Sequence, residues 1–267
     1  MATKGTKQRK VLITGASGTI GTLLSTRLAD TYDLVLHGGR APKTPEQEKD
    51  KRLLWADLGD YPALLALMKG VDTVIHLAGA ASPVSTWDDV LTANLAGFRN
   101  TIEAAREAGV RRFVFASSNH AMGGYDRAQE WPVYPRDLPR PDSLYGVSKA
   151  FGETLGRFYH EEHGIDFIAL RIGWLTPDPM QHEAELLHAM WLSENDGEQV
   201  IRCAIEAKVT YGVYYAISDN QNRRWDITNT MLELGYRPRD SWTDRSRDPE
   251  QIVEGGADTP DGWPKNS

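Results

Sequence analysis

Cysteine, long apolar runs and blocks of like charge are scarce in this chain of 267 residues, and each scarcity excludes a class of protein. Cys203 is the only cysteine, so an intrachain disulfide is impossible and nothing indicates a thiolate metal site. No stretch approaches the roughly 20 apolar residues that span a bilayer. The net charge of −7 contains no long block of one sign, which argues against nucleic acid or an anionic membrane as partner. We therefore expect a cytoplasmic protein.

A glycine-rich loop follows the first apolar run of the chain. Residues 11–14 (VLIT) are typical of a buried strand, and an amphipathic segment follows the loop to about Leu28. The loop has the spacing G-x-x-G-x-x-G, which lets backbone approach a pyrophosphate at the start of a helix. The order of strand, loop and helix predicts a dinucleotide site that includes Gly15, Ser17, Gly18, Thr19, Ile20 and Gly21.

The second strand, residues 34–36, lacks the acidic residue that would bind an NAD ribose. The chain reads His37-Gly38-Gly39-Arg40 at this point, so Arg40 would instead face the 2′-phosphate of NADP. The alternative is that Arg40 and Lys43 only solvate a loop spanning residues 41–52. Asp57 ends a third predicted strand, which starts at Leu53, and would accept a hydrogen bond from an adenine amino group.

Strands and helices alternate from residue 11 to residue 172, which predicts an α/β fold with a Rossmann-like, doubly wound parallel sheet. In such sheets the ligand lies beyond the carboxyl ends of the strands. Further predicted cofactor contacts follow strand ends, namely Leu58, Leu77, Ala78, Gly79 and Ile172. We divide the chain into a disordered segment 1–10, a dinucleotide-binding core 11–173, a small C-terminal substrate lobe 174–239 and a partly disordered tail 240–267. The lobe includes helices at 183–192 and 200–207, and a long helix at 88–109 carries Asn94.

Tyr145 and Lys149 lie four residues apart on a predicted helix at 144–163, so they share one face. A lysine ammonium beside a phenol would lower the pKa of the phenol toward the range of a general base. Ser118 ends the predicted strand 112–118 and would hydrogen-bond the same reacting oxygen. The three residues predict a proton-transfer site for an alcohol and its carbonyl, although a lone Y-x-x-x-K also occurs on solvated helix faces.

As a set, the glycine loop, Asn94, Ser118, Tyr145 and Lys149 resemble the extended, epimerase/dehydratase-like branch of the short-chain dehydrogenase/reductase superfamily. Residues 115–120 (FASSNH), 144–149 (LYGVSK), Gly152-Glu153 and Arg171-Ile172-Gly173 resemble uronate dehydrogenases. Residues 189–193 and 212–220 are closer still to the NAD-dependent glucose-6-phosphate dehydrogenases of halophilic archaea.

The resemblance implies a role for each matching residue. Tyr145 would take the proton of the anomeric hydroxyl, and Lys149 would lower its pKa and bind the nicotinamide ribose. Ser118 would hold the sugar oxygen and Asn94 would assist the proton relay. The implied substrate contacts are Ser82, Ser118, Asn119, His120, Tyr145 and Trp174.

Three departures from the uronate enzymes affect the predicted specificity. Gly39-Arg40 replaces an acidic residue, which puts strict NAD use in doubt. Trp174 replaces a serine and reshapes the pocket. Leu186 replaces the arginine that binds the substrate carboxylate, and leucine cannot form that bidentate pair. His182, His188 or Arg202 would serve an anionic group instead, or are ordinary surface or interface residues.

Three functions are consistent with these residues. The first is NAD(P)-dependent oxidation of the anomeric carbon of an anionic sugar to its lactone. The others are epimerisation or dehydration of a nucleotide sugar, and dinucleotide sensing without catalysis. The cofactor is NAD by family resemblance, and NADP or both by Gly39-Arg40. We expect a small sugar substrate, no metal, no nucleic acid or membrane partner, and a homo-oligomer paired through the helices at 88–109 and 144–163.

Overall fold

A seven-stranded parallel sheet is the centre of the computed structural model, which describes residues 8–245. The order across the sheet is β3-β2-β1-β4-β5-β6-β9, and β7 pairs with β8 in a separate two-stranded sheet. The strands are β1 (Lys10–Thr14), β2 (Asp33–Gly39), β3 (Leu53–Trp55), β4 (Thr73–His76), β5 (Arg112–Ser118), β6 (Asp166–Ile172), β7 (Trp174–Leu175), β8 (Trp191–Leu192) and β9 (Tyr211–Ala216). This is the order of a doubly wound sheet, as the alternation of elements predicts.

Helices cover both faces of the sheet. They are α1 (Thr19–Arg27), α2 (Pro45–Lys49), α3 (Tyr61–Leu67), α4 (Trp87–Asp89), α5 (Gly97–Glu107), α6 (Gly123–Arg127), α7 (Leu144–His163), α8 (Glu185–Ala189), α9 (Glu194–Glu206) and α10 (Thr228–Glu233). One core cluster joins the sheet to α1 and α9, and a second joins it to α3, α5 and α7. The strands are therefore buried on both faces, which explains why residues 11–13 and 113–116 are apolar without alternation.

The ends of α7 follow from its sequence. The Ser143 hydroxyl accepts a hydrogen bond from the Gly146 amide at 3.1 Å, which caps the first turn. Gly164 ends the helix in the left-handed conformation, with φ of 72°. The cap fixes where the helix starts, and this places Tyr145 and Lys149 in its first two turns.

Several predicted element bounds are wrong. The expected loop 41–52 contains α2, because Thr44 caps a short helix that begins at Pro45. The third strand ends at Trp55, before Asp57. The expected helix 88–109 consists of α4, a π-helical segment Val90–Ala96 and α5. The expected helix 183–192 is α8 followed by β8. The helix at 200–207 starts six residues earlier, where Ser193 caps Glu194.

The segment predicted as a separate lobe contributes to the main sheet. β9 pairs with β6 in register from Phe167 opposite Tyr211 to Ile172 opposite Ala216. α9 of the same segment packs in the first core cluster with the sheet and α1. Other parts of 174–239 pack through a third apolar cluster that includes Met122, Met190 and Trp225. The structure therefore places β9 in the core sheet, and the division at residue 173 stays a prediction for the rest of the segment.

The predictions of disorder fall mainly on residues 1–7 and 246–267, which lie outside the described residues. Within the described part, Lys10 is already the first residue of β1, so it is ordered contrary to expectation. Trp242 is buried in a 3₁₀ turn, which the prediction of a partly disordered tail allows. None of the described helices has both the length and the apolarity required to cross a membrane.

Candidate active site

A cleft of about 850 Å³ opens at the carboxyl ends of the strands of the main sheet. This volume lies within the range of small-molecule and cofactor sites. Every residue that the sequence proposes for the cofactor lines it, as does Ser118: Gly15, Ser17, Gly18, Thr19, Ile20, Gly21, Arg40, Asp57, Leu58, Leu77, Ala78, Gly79, Tyr145, Lys149 and Ile172. The topology therefore brings together residues that are up to 157 positions apart, from Gly15 to Ile172.

The glycine loop has a shape that only glycine allows. Gly15 has φ of 72°, and a Cβ at this position would lie 2.8 Å from the Ala78 amide nitrogen. A Cβ on Gly21 would collide with the backbone of Gly15 and Ala16, so the first turn of α1 packs directly on the loop. The start of this nine-residue helix faces the cleft. The loop thus fits the pyrophosphate of a dinucleotide.

At the far end of the cleft, the structure explains the missing acidic residue. A Cβ on Gly38 would lie 2.7 Å from the Trp55 ring, and Gly39 has φ of 116°. A carboxylate side chain is therefore excluded at Gly38 by contact and at Gly39 by backbone strain. Arg40 instead forms an ion pair with Asp57, and its side chain is 74% exposed. Asp57 also accepts a hydrogen bond from the Gly59 amide at 2.7 Å, which lowers its pKa.

Lys149 lies buried between β5 and the Tyr145 ring. Its ammonium donates a hydrogen bond to the Ala116 carbonyl at 2.7 Å and lies 5.3 Å from the centre of the Tyr145 ring. Burial lowers the pKa of Lys149 to about 8, while the charge of Glu153 acts in the opposite direction. Because this pKa lies close to neutral pH, nearby charges decide whether Lys149 is protonated.

The pKa of Tyr145 does not lie in the working range of a general base in the protein alone, contrary to expectation, and the effect of Lys149 on it stays a prediction. Burial raises the pKa of Tyr145 to about 12, a hydrogen bond with Ser118 acts against this, and the charge of Asp142 adds to it. The reason is that Tyr145 is almost entirely buried, so desolvation of the phenolate outweighs the other effects.

Asn94 holds the backbone next to the cleft and does not line it. Its amide oxygen accepts from the Ala80 amide at 2.7 Å, and its amide nitrogen donates to the Ala80 carbonyl at 2.9 Å and to the Ser148 hydroxyl at 2.8 Å. The Ser148 hydroxyl in turn donates to the Tyr145 carbonyl at 2.7 Å. Asn94 thus connects the loop after β4 to α7, the helix that carries Tyr145, and its part in a proton relay stays a prediction.

Of the predicted sugar contacts, only Ser118 and Tyr145 reach the cleft wall. Asn119 is buried and donates to the Met190 sulfur at 2.8 Å. His120 packs edge-on against the Tyr145 ring. Trp174 lies half-buried in β7 with its ring beside His182, and Ser82 lies in a turn after β4 that it forms with Ser85.

Two of the alternative anion contacts are wrong. Arg202 lies between α9 and α1, where it bonds Glu198, the Thr31 hydroxyl and the Arg27 carbonyl. His188 is buried, stacks on Trp242 at 4.3 Å and bonds the His182 carbonyl at 2.9 Å. Both side chains are committed to packing, whereas His182 is exposed. Leu186 lies buried in the third apolar cluster. Within residues 8–245 no group of three or more metal-ligating side chains is found.

Sequence reasoning missed Asp142, which borders the site. Its carboxylate bonds His120 Nδ1 at 2.9 Å. The Ser143 hydroxyl also donates to it at 2.9 Å. Asp142 has no sequence signal beyond its place two residues before the helix that carries Tyr145, so only the fold could reveal it.

Comparisons with known proteins agree with this geometry. The sequence profile of the NAD dependent epimerase/dehydratase family matches residues 11–206. An NAD-dependent glucose-6-phosphate dehydrogenase of Haloferax volcanii is 40% identical over 258 residues, covering 91% of this chain and 98% of that protein. An L-arabinose 1-dehydrogenase (NAD(P)(+)) of the same organism is 37% identical, covering 87% of this chain and 97% of that protein. A uronate dehydrogenase of Pseudomonas putida is 33% identical, covering 93% of this chain and 94% of that protein.

Solved structures give the same result. A uronate dehydrogenase mutant from Agrobacterium tumefaciens, complexed with NAD, has a TM-score of 0.81 at 31% identity and covers 93% of this chain and 91% of its own. The UDP-glucuronic acid 4-epimerase of Bacillus cereus has a TM-score of 0.71 at 21% identity and covers 88% of this chain and 96% of its own, so it supports the fold alone. With the glycine loop, the sheet order and the Tyr145–Lys149 pair in place, the chain belongs to the NAD dependent epimerase/dehydratase family.

Proposed function

We propose that this chain is an NAD-dependent sugar dehydrogenase that oxidises the anomeric carbon of a cyclic sugar to its lactone. The observation that carries the proposal is the position of Tyr145 and Lys149 in the same cleft as the glycine loop. Relatives that align over most of the chain are named as dehydrogenases of glucose 6-phosphate, L-arabinose and uronate. The chain is an oxidoreductase, and its substrate is a hexose 6-phosphate, a hexuronate or a related anionic aldose.

The side chains of the chain have two tasks in this reaction, to orient the sugar and to transfer its proton. Bound NAD supplies the acceptor for the hydride that leaves the anomeric carbon. Ser118 holds the anomeric hydroxyl, and Tyr145 takes its proton, so the products are a lactone and a protonated phenol. The Lys149 ammonium stabilises the phenolate that precedes this step. Because burial holds the pKa of Tyr145 near 12 in the protein alone, the rate is expected to rise with pH up to the loss of charge on Lys149.

Dual use of cofactors is part of this proposal. Gly38 and Gly39 place no carboxylate at the end of β2, and the Asp57 carboxylate at this end of the cleft is paired with Arg40. Arg40 and Lys43 both line this end of the cleft. An enzyme with this arrangement accepts NADP beside NAD, since the guanidinium of Arg40 suits a phosphate.

Initial rates at the reduced-nicotinamide absorbance test the function. NAD and NADP are each paired with glucose 6-phosphate, glucuronate, galacturonate, sulfoquinovose and neutral aldoses. We expect one anionic sugar to be oxidised with formation of its lactone. Turnover of none, with cofactor binding demonstrated, contradicts the proposal and makes a panel of nucleotide sugars the next assay.

The variant Tyr145→Phe tests the assigned base. Removing the hydroxyl leaves the ring and its packing against His120, so the fold and the binding of NAD should persist. We expect kcat to fall by about a hundredfold or more, because general-base catalysis typically contributes that factor. A variant that keeps most of its rate would show that another group takes the proton.

A further inference from the structure

A second pair of charged residues lies buried directly behind the cleft. Glu153 on α7 and Arg171 on β6 form a bidentate ion pair with distances of 2.9 and 2.8 Å. Their side chains are only 7% and 2% exposed. Burying two charges costs free energy that their attraction need not repay, so such a pair is weak evidence for stability alone. The position of this ion pair behind the cleft therefore calls for an explanation other than stability.

The pair reaches the residues of the site from two directions. The Ser117 hydroxyl donates to Glu153 at 2.6 Å, and Ser117 directly precedes Ser118. Glu153 follows Lys149 by four residues on α7, so the two lie on one helix face. Arg171 also donates to the Tyr215 hydroxyl on β9 at 3.3 Å. The carboxylate is thus fixed relative to both β5 and the catalytic helix.

A similar pair at the other end of the same strands serves as a comparison. Arg112 and Asp166 open β5 and β6 and form an ion pair at 3.0 Å. Arg112 also bonds the Ala207 and Val209 carbonyls, each at 2.7 Å. This pair already joins β5 to β6, far from the cleft. The two strands therefore do not need Glu153–Arg171 merely to be held side by side.

Lys149 is the charged group of the site that Glu153 affects. Burial lowers the pKa of Lys149 and the carboxylate of Glu153 raises it. His76 on β4 also faces Lys149, but burial lowers the pKa of His76 to about 3, so it is neutral. Tyr145 on the same helix is neutral below its raised pKa. Arg171 on β6 is paired to Glu153, which lies on the same face of α7 as Lys149.

We propose that Glu153, held by Arg171 and Ser117, is a positioning residue that keeps the Lys149 ammonium charged at working pH. The proposal rests on the proposed function, because it concerns the lysine of the same site. Loss of the carboxylate charge lets Lys149 give up its proton at lower pH. Dinucleotide binding and turnover both need the ammonium. As the pH is raised, both are therefore lost at a lower pH than in the wild-type protein.

The test compares Glu153→Gln with the control Asp166→Asn. In Glu153→Gln, the upper limb of the pH profile of kcat/KM should move down by about one pH unit, since loss of a nearby opposite charge shifts a lysine by this order. Glu153→Asp retains the charge and should keep the wild-type limb. Asp166→Asn should lower the melting temperature without moving the limb, because it breaks the pair that lies far from Lys149.

Because Glu153→Gln leaves Arg171 buried without its partner, the double variant Glu153→Gln/Arg171→Met is made in parallel. It removes both charges, a change that buried pairs tolerate, and its limb should also move down. A limb that stays in place in both variants, or that moves equally in Asp166→Asn, would overturn the proposal.

The pH dependence of the binding of reduced NAD is also measured, by the fluorescence of the cofactor and without any sugar. The loss of binding at high pH should show the same shift. This readout separates the two proposals. If the protein oxidises no sugar, the proposed function fails while the Glu153 effect is still visible in binding. If sugars are oxidised and the binding limb does not move in Glu153→Gln, only the role of Glu153 fails.

Discussion

Burial acts in opposite directions on the two titrating side chains of the site. It raises the pKa of Tyr145 and lowers that of Lys149, because each loses the solvation of its charged form. Between about pH 8 and 12 neither group carries its charge in the protein alone. The phenolate required for catalysis therefore depends on the Lys149 ammonium below about pH 8 and on the neighbours of both residues.

At the residue scale, the proposed role of Arg40 in cofactor choice can be tested. We expect Arg40→Ala to raise the KM for NADP about tenfold and to leave the KM for NAD within about twofold, because only NADP offers a phosphate to a guanidinium. Arg52→Ala is the matched control, since Arg52 is also exposed and paired to a nearby carboxylate, Asp50. Steady-state kinetics with both cofactors give the comparison. Equal losses for NAD and NADP would refute a role in reading the 2′-phosphate.

At the element scale, the sequence predicts most of what the cleft requires. The bounds of β5 and α7 agree with the prediction, because Ser118 ends an unbroken apolar run and Ser143 and Gly164 are strong helix signals. The π-helical segment between α4 and α5 escapes sequence reasoning. Its apolar spacing resembles that of an ordinary helix, and its contact with the loop after β4, through Asn94 and Ala80, carries no signal in the sequence.

Some residues of the site could also be predicted from the sequence, and others could not. The cofactor residues that follow strand ends could be placed because parallel strands end at one edge of the sheet. Asp142, Glu153 and the close approach of Trp55 to Gly38 could not, because they depend on side chains from distant segments. The expected low pKa of Tyr145 is not found in the protein alone, because helix spacing says nothing about how deeply the phenol is buried.

Asn94 allows a test of the π-helical segment. Asn94→Ala removes three hydrogen bonds, two of them to the backbone of Ala80, and should lower the free energy of unfolding by about 1–2 kcal/mol. It should also reduce kcat/KM, because the loop that lines the cleft after β4 loses its support. Asn100→Ala is the control: Asn100 donates to the Leu58 carbonyl at 3.0 Å from α5, one bond instead of three. Thermal unfolding and kinetics that do not distinguish the two variants would contradict a special role for Asn94.

At the scale of the whole molecule, one face of α7 carries apolar side chains that the rest of the described residues, 8–245, leave exposed. Leu144, Val147, Phe151 and Phe158 are exposed, and their spacing of three, four and seven residues places them along one side of the helix. The opposite side of the same helix buries Tyr145, Lys149 and Glu153. A partner on the exposed face would therefore pack against the helix that carries the catalytic residues.

We expect a second copy of the chain to cover this face, as a homo-oligomer requires. Phe158→Glu places a charge on a side chain that is 51% exposed and should shift the protein to monomer, because a buried unpaired carboxylate is costly at an interface. Leu232→Glu is the control, since Leu232 is 77% exposed and lies on α10, away from α7. Sedimentation velocity at several concentrations measures the change. A wild-type protein that sediments as a monomer, or a Phe158→Glu variant that stays associated, would exclude α7 as the contact.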